Sequence, residues 1–81
     1  MLTKQIETSH FTAYFNKNYS LCSIESDEKA VSVPGVTECV YDIINTYRGQ
    51  QFDTCQYDLH EELTSLDKDI NEYIKAHPAN E

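Results

Sequence analysis

The stretch that decides the fold is residues 58–77, DLHEELTSLDKDINEYIKAH. Its apolar side chains recur at intervals of three and four, which places them along one side of an α-helix. The stripe consists of Leu59, Leu63, Leu66, Ile70, Tyr73, Ile74 and His77. Asp58 and Glu61 have the spacing of a capping box at the start, and Pro78 cannot continue a helix. The pattern predicts a helix from Asp58 to His77, followed by a frayed end at 79–81.

A second helix is predicted upstream of this stretch. The apolar positions at three- and four-residue spacing are Val36, Val40, Ile43, Ile44 and Tyr47. Thr37 is a suitable N-cap, and Arg48 with Gly49 forms a suitable end, so we predict a helix from Thr37 to Arg48. Residues 50–57 are ambiguous between a loop and a short edge strand, and we predict a loop.

The N-terminal half has the alternation of β-strands. From Gln5 to Phe15, one face carries Phe11, Ala13 and Phe15, and the other carries His10, Thr12 and Tyr14. Asn16-Lys17-Asn18 predicts a turn, because asparagine tolerates left-handed backbone, and the second strand then runs from Tyr19 to Glu25. A further turn at 26–28 leads to a short third strand, Lys29–Val33, which Pro34-Gly35 ends.

Strands followed by helices favour the α+β class. We therefore predict a small antiparallel β-meander of three strands followed by two helices packed on one face of the sheet, in a single compact domain over residues 1–81. With 81 residues the core is thin, and a free energy of unfolding of roughly 3–8 kcal/mol is typical of such a domain. A shallow working surface suits this size better than a deep cleft.

The charge of the chain restricts its partners. Fourteen acidic residues stand against six basic ones, giving a formal net charge of -8. Direct binding to nucleic acid or to an anionic membrane is unfavourable for such a chain, whereas a basic protein surface is attractive to it. No window approaches the ~20 apolar residues of a membrane span.

The cysteine pattern indicates a reducing compartment. Cys22, Cys39 and Cys55 form no C-x-x-C pair, which argues against a zinc ribbon, and their odd number argues against a disulfide framework. The start of the chain, Met1 to Gln5, does not have the apolar stretch of a secretory leader. We expect a cytoplasmic protein, with Cys22 and Cys39 as small core residues and Cys55 less firmly so.

The functional argument rests on acids along the C-terminal helix. At about 100° per residue, Asp58, Glu62, Asp69 and Glu72 fall within roughly 80° of one another, together with Ser65 and opposite the leucine stripe. We call these four acids the acidic ridge. They extend over about 20 Å at intervals comparable with the phosphates of a DNA strand. The alternative is an ordinary solvated helix face.

Glu25, Asp27 and Glu28 form a second cluster, called here the acidic turn, which either extends the ridge surface or is simply a hydrophilic turn. Tyrosine is enriched in interfaces, and Tyr14, Tyr19 and Tyr57 are the interface candidates. Tyr41, Tyr47 and Tyr73 lie near apolar stripes, where core packing explains them. An exposed outer sheet face would present Tyr14, His10 and Thr12.

The sequence contains no residue pattern that is typical of a catalytic site. No cysteine is aligned with a histidine, there is no glycine-rich phosphate loop, and no calcium-binding loop is present. His60 is expected to be exposed, and His77 to lie on the apolar stripe at the helix end. The abundant carboxylates fall on predicted solvent faces, where their pKa values would not be tuned for catalysis. We predict a non-enzymatic protein without metal or cofactor.

In size, charge and layout the chain resembles the small acidic proteins that phages and mobile elements use against host nucleases and CRISPR complexes. The resemblance implies an inhibitor that mimics nucleic acid and occupies the basic site of a nucleic-acid-processing protein. The predicted partner-binding residues are those of the acidic ridge and the acidic turn, with Tyr14 and Tyr57. The alternative is a homodimeric or antitoxin-like interaction module that works through exposed tyrosines, with the acids as solvent decoration.

Overall fold

The structure is a computed structural model that describes residues 4–77. In this part of the chain, three strands are followed by three helices. In chain order they are β1 Lys4–Glu7, β2 Phe11–Phe15, β3 Leu21–Ser26, α1 Glu28–Val31, α2 Val36–Tyr47 and α3 Phe52–Ala76. The expectations for Met1–Thr3, for Pro78 as the helix stop and for a frayed end at 79–81 lie outside the described residues.

The sheet is antiparallel with the strand order β1-β2-β3. Apolar side chains at alternating positions, such as Phe11, Ala13 and Phe15 on β2, are buried. They join apolar residues of all three helices in one core, and both long helices contact the sheet. The predicted α+β class, with a three-stranded antiparallel sheet followed by helices, is confirmed.

The predicted first strand is in fact two strands. A reversal at residues 8–10 separates β1 from β2, and the Thr8 amide closes it by donating to the Phe11 carbonyl at 2.8 Å. The reversal contains no glycine, proline or asparagine, so local turn chemistry did not reveal it. The residue that holds the reversal in place is distant in the sequence: Asp67 on α3 accepts hydrogen bonds from the amides of Ser9 and His10.

The predicted third strand, Lys29–Val33, is wrong. Residues 28–31 form α1, whose N-cap Asp27 has extended backbone and accepts a hydrogen bond from the Ala30 amide at 2.8 Å. This cap satisfies an otherwise unpaired helix donor. Ala30 is buried whereas Val31 is exposed, so the period-two pattern of Val31 and Val33 does not mark a buried strand face.

The hairpin turn between β2 and β3 is confirmed, with one correction. Asn16 organises it, since its Oδ1 accepts from the amides of Asn18 at 2.8 Å and Ser20 at 3.1 Å. The residue with left-handed backbone is Tyr19, at φ 63°, and not an asparagine. The second strand accordingly begins at Leu21, later than predicted.

The predicted helix at 37–48 is present as α2, with its N-cap two residues earlier than expected. Gly35, with φ 86°, occupies the N-cap position instead of Thr37, and no side chain caps the helix there. Gly49, with φ 81°, follows the helix end as predicted. A left-handed backbone suits glycine at both positions because glycine has no Cβ.

The predicted loop at 50–57 is wrong, because α3 begins at Phe52 and runs for 25 residues. Asp58 is therefore inside the helix and does not cap it. The first turns are held by the core: the Phe52 ring packs edge-on against Phe15 at 5.1 Å between centroids, and Cys55 is buried. The Phe52 amide also donates to the Tyr19 carbonyl, which ties the start of α3 to the end of the hairpin turn.

Several single-residue expectations were also wrong. Cys22 and Cys39, expected in the core, are exposed, whereas Cys55, which was assigned to the core less firmly, is buried. Cys22 has no register partner, because the pairing of β2 and β3 shifts between Tyr14 and Phe15. His77 is exposed at the C-cap, where its ring stacks on Tyr73 at 4.2 Å between centroids. The core packing expected for three tyrosines is wrong for Tyr41, which is exposed, whereas Tyr47 is buried as expected and Tyr73 is half-buried.

No helix among residues 4–77 has the length and apolar character needed to cross a membrane.

Candidate functional site

The acidic ridge lies on one continuous helix. Asp58, Glu62, Asp69 and Glu72 all belong to α3, and all four side chains are exposed, as is Ser65 between them. At a rise of ~1.5 Å per residue, the ridge extends over about 20 Å. The spacing and exposure predicted for these acids are therefore present.

Within residues 4–77, no cationic group lies at ion-pair distance from the ridge carboxylates. Across residues 4–77, the one ion pair within 4.0 Å joins His10 to Asp27, and it involves no residue of the ridge. Lys4 lies over aromatic rings instead, with Nζ 5.1 Å from the Phe52 centroid. The negative charge of the ridge is thus not balanced by contacts within the described part of the chain.

One ridge carboxylate is held by the neighbouring helix. The hydroxyl of Tyr47 on α2 donates a hydrogen bond to Glu62. Tyr47 is buried, and its bond to Glu62, together with burial, raises the pKa of Tyr47 well above its usual range. The phenol is therefore a fixed donor that orients the Glu62 carboxylate.

The ridge borders α2 rather than standing directly opposite the core stripe. Between the two helices runs a shallow groove with a volume of 320 Å³, called here the α2–α3 groove. Its lining residues are Cys39, Asp42, Ile43, Glu62, Ser65, Leu66 and Asp69. Two ridge acids thus face an apolar floor, whereas the sequence placed the whole ridge away from the apolar stripe.

Asp42 is a groove residue that the sequence reasoning missed. It is exposed on α2 beside buried Ile43, and it brings a third carboxylate to the groove. Its position next to an apolar core residue on a predicted amphipathic helix was the available signal, since such positions border the packed face. Which neighbouring helix it would face depended on the tertiary packing.

The acidic turn is divided among three structural roles. Glu25 lies on β3, where it is exposed and accepts a hydrogen bond from the Tyr14 hydroxyl at 3.0 Å. Asp27 caps α1 and lies 2.8 Å from Nδ1 of His10, although it remains 45% exposed. Glu28 is the exposed first residue of α1.

The acidic turn and the acidic ridge lie on different sides of α3. Nε2 of His10 is 2.7 Å from Oδ1 of Asn71, and the other ring nitrogen bonds Asp27. Asn71 follows Asp69 by two positions, which at about 100° per residue places it on the far side of α3 from the ridge. The structure therefore does not bring the two acidic groups into one continuous surface.

His10 forms the centre of a polar network that the sequence did not predict. It is 8% exposed, in contrast to the open position expected for it. Burial alone would lower the pKa of His10, but its hydrogen bonds to Asn71 and Asp27 and the charges of Asp27 and Asp67 raise the pKa above its usual range. The network connects the 8–10 reversal, the α1 cap and α3.

The two tyrosines predicted to bind the partner differ in exposure. Tyr57, on α3, is 80% exposed and lines a shallow depression together with Asp58, Glu61 and Lys68. Tyr14 is half-buried on the outer sheet face. Tyr57 offers free aromatic surface next to the ridge, whereas Tyr14 offers less.

No cluster of three or more metal-binding side chains occurs within residues 4–77. Comparison of the chain with models of known families, with curated proteins and with solved structures finds no match.

Proposed function

We propose that this chain is a non-enzymatic acidic inhibitor that occupies the basic site of a nucleic-acid-processing protein or complex. One observation carries the proposal: the four acids of the ridge are exposed on a single helix and unpaired with any lysine or arginine of residues 4–77. A helix selected for stability alone usually gains from an acid with a lysine four positions after it, and no ridge acid has one. Lys68 and Lys75 lie four positions before and three after Glu72, but neither forms an ion pair with it within 4.0 Å.

The mechanism follows from charge and geometry. Carboxylates on a rigid helix attract lysine and arginine side chains that otherwise contact phosphates, and they accelerate association through electrostatic steering. Tyr57 beside Asp58 supplies an aromatic contact that loses water on binding. We expect the partner to be a basic protein surface, with no direct binding of nucleic acid or membrane, and the site of action to be the cytoplasm during counter-defence by a phage or mobile element.

The buried thiol also favours a binding role. Burial raises the pKa of Cys55 and therefore disfavours the thiolate that a nucleophile needs. The other two cysteines are exposed, and neither forms a hydrogen bond to a histidine within residues 4–77. General acid-base catalysis by a carboxyl group needs burial that shifts its pKa, and all four ridge acids are exposed, including the two that line the shallow α2–α3 groove.

Capture from a host lysate at low and high ionic strength tests the proposal. The bait is the wild-type chain, beside Glu62→Lys/Asp69→Lys and a control with the same change of charge, Glu7→Lys/Glu38→Lys. The control reverses two exposed acids that lie outside α3 and do not line the α2–α3 groove. We expect the wild-type chain and the control to retain nucleic-acid-processing proteins at low ionic strength and to release them at high ionic strength. We expect the ridge variant not to retain these proteins at either ionic strength. Equal retention by all three baits would remove the ridge from the proposal.

A second candidate function is a homodimeric or antitoxin-like module, which the exposed rings of Tyr57 and Tyr41 favour. Apolar and aromatic contacts depend little on ionic strength. This candidate predicts a complex that survives high salt, that Tyr57→Ala weakens and that Glu62→Lys/Asp69→Lys leaves intact. Size-exclusion chromatography of the three proteins at two salt concentrations distinguishes it from the inhibitor.

A further inference from the structure

We propose that the α2–α3 groove receives a single arginine side chain of the partner. The inference rests on the proposed function and specifies the group that the ridge surface recognises. At the groove, the contact with the partner would combine shape complementarity with the attraction between charged surfaces.

The floor of the groove suits an aliphatic chain. Ile43 is buried and Leu66 is half-buried, and both line the groove between the helices. Cys39, an exposed and weakly polar residue, also lines it. An occupant must therefore offer apolar surface to the floor.

The rim of the groove selects a cation. Asp42, Glu62 and Asp69 contribute carboxylates from two helices, and no lysine or arginine of residues 4–77 lines the groove. A neutral apolar side chain would strip water from these acids without giving them a partner, which is unfavourable. Lysine and arginine combine an apolar stem with a cationic end and match both parts of the groove.

Arginine fits better than lysine because three carboxylates line the groove. The guanidinium group has five donors in a plane and pairs with several acceptors at once, whereas an ammonium group is a compact and strongly hydrated charge. The hydrogen bond from Tyr47 already orients Glu62, which reduces the entropy lost on binding. The volume of 320 Å³ lies at the lower end of ligand pockets, about 300–1,000 Å³, so the groove has room for one arginine side chain.

Titration of the ¹⁵N-labelled chain with a hexa-arginine peptide tests the inference by NMR, with a hexa-lysine peptide as comparison. We expect the amide signals of Cys39, Ile43 and Leu66 to shift, and hexa-arginine to bind at least about threefold more tightly than hexa-lysine, a difference of about 0.6 kcal/mol. The absence of shifts at the groove, or equal affinity of the two peptides, would overturn the inference.

Two matched variants separate the groove from general charge. Asp42→Asn/Asp69→Asn removes two groove charges, and Asp58→Asn/Glu72→Gln removes two ridge charges that do not line the groove. We expect the groove variant to lower the affinity for hexa-arginine at least about fivefold more than the other, a difference of about 1 kcal/mol. Thermal melting of both variants confirms that they fold.

The outcomes distinguish this inference from the function it builds on. Equal losses in the two variants would mean that charge alone drives binding, which overturns the groove while leaving the inhibitor proposal standing. Selective binding of hexa-arginine in the groove by a chain that captures no nucleic-acid-processing protein would support the groove and contradict the proposed function.

Discussion

The carboxylate of Asp67 accepts a hydrogen bond of 3.0 Å from the backbone amide of His10, which lies 57 residues away in the sequence. Its other carboxylate oxygen accepts a hydrogen bond of 2.9 Å from the backbone amide of Ser9. Asp67 is only 5% exposed, so this acid lies on the packed side of α3 among the core residues. One inward acid on the C-terminal helix therefore fixes the reversal that divides β1 from β2.

Replacement of Asp67 tests the importance of this contact for the fold. We expect Asp67→Ala to lower the free energy of unfolding by about 3 kcal/mol, because the buried amide of His10 and the part-buried amide of Ser9 lose a charged acceptor. Urea denaturation measures the change. The control is Asp69→Ala, an exposed acid two positions away, which should change stability by less than about 0.5 kcal/mol. Similar losses in the two variants would contradict the role given to Asp67.

This contact also explains how far the sequence could predict the fold. The apolar period of residues 59–74 identified α3, and the alternation at 11–15 identified β2, because burial of one face determines both patterns. The 8–10 reversal contains no glycine, proline or asparagine and depends on Asp67, and that dependence is visible only once α3 packs against the sheet. Asp67 itself interrupts the apolar stripe between Leu66 and Ile70, which was the one local sign of it.

The candidate site, like the fold, could be predicted from the sequence only in part. The ridge acids follow from helical spacing, so their exposure on one helix was within reach of the sequence. The groove was not, because Asp42 and Glu62 meet across two helices whose relative placement depends on packing. The loop expected at 50–57 obscured the start of α3, since a short alternating run does not distinguish a strand from a helix turn.

The pair of His10 and Asp27 predicts a dependence of stability on pH. The pKa of His10 is raised in the folded chain, so its stabilisation is complete below about pH 6.5 and is lost as the pH rises through the folded-state pKa. For Asp27, burial opposes ionisation, but the Ala30 amide and His10 outweigh it and lower the pKa. Its stabilisation is present above about pH 3.9 and is lost as the pH falls through the folded-state pKa.

The contribution of this pair is therefore greatest between about pH 4 and pH 6.5. We expect urea denaturation to show falling stability from pH 6 to pH 8.5, and His10→Gln to flatten that fall. His60→Gln, a change at an exposed histidine of α3, serves as the control and should leave the profile as in wild type. A profile that His10→Gln leaves unchanged would show that another group is responsible.

The hydrogen bond between Tyr47 and Glu62 joins α2 to the acidic ridge. We expect Tyr47→Phe to lower the free energy of unfolding by about 1 kcal/mol, because a buried donor is removed while the ring remains. The matched control is Tyr41→Phe, which removes the hydroxyl of an exposed tyrosine on the same helix and should have little effect. Thermal melting of the two variants gives the comparison, and equal midpoints would exclude a stabilising role for the bond.

The cysteines should divide sharply in reactivity. Cys22 and Cys39 are exposed, whereas Cys55 is buried with a raised pKa. With a disulfide reagent in excess at pH 8, we expect two thiols to react quickly in the native chain and the third only after denaturation, because thiolate and access are both required. Rapid reaction of Cys55 in a variant that lacks the other two would be inconsistent with this packing.

The central claim is that the acidic ridge takes the place of nucleic acid on a basic partner. The most direct measurement is displacement of a labelled nucleic acid from the captured partner by wild type, by Glu62→Lys/Asp69→Lys and by Glu7→Lys/Glu38→Lys. We expect wild type and control to displace the nucleic acid, with a potency that falls as salt rises, and the ridge variant to lose this ability while remaining folded. Full displacement by the ridge variant, or displacement that salt does not weaken, would contradict the claim.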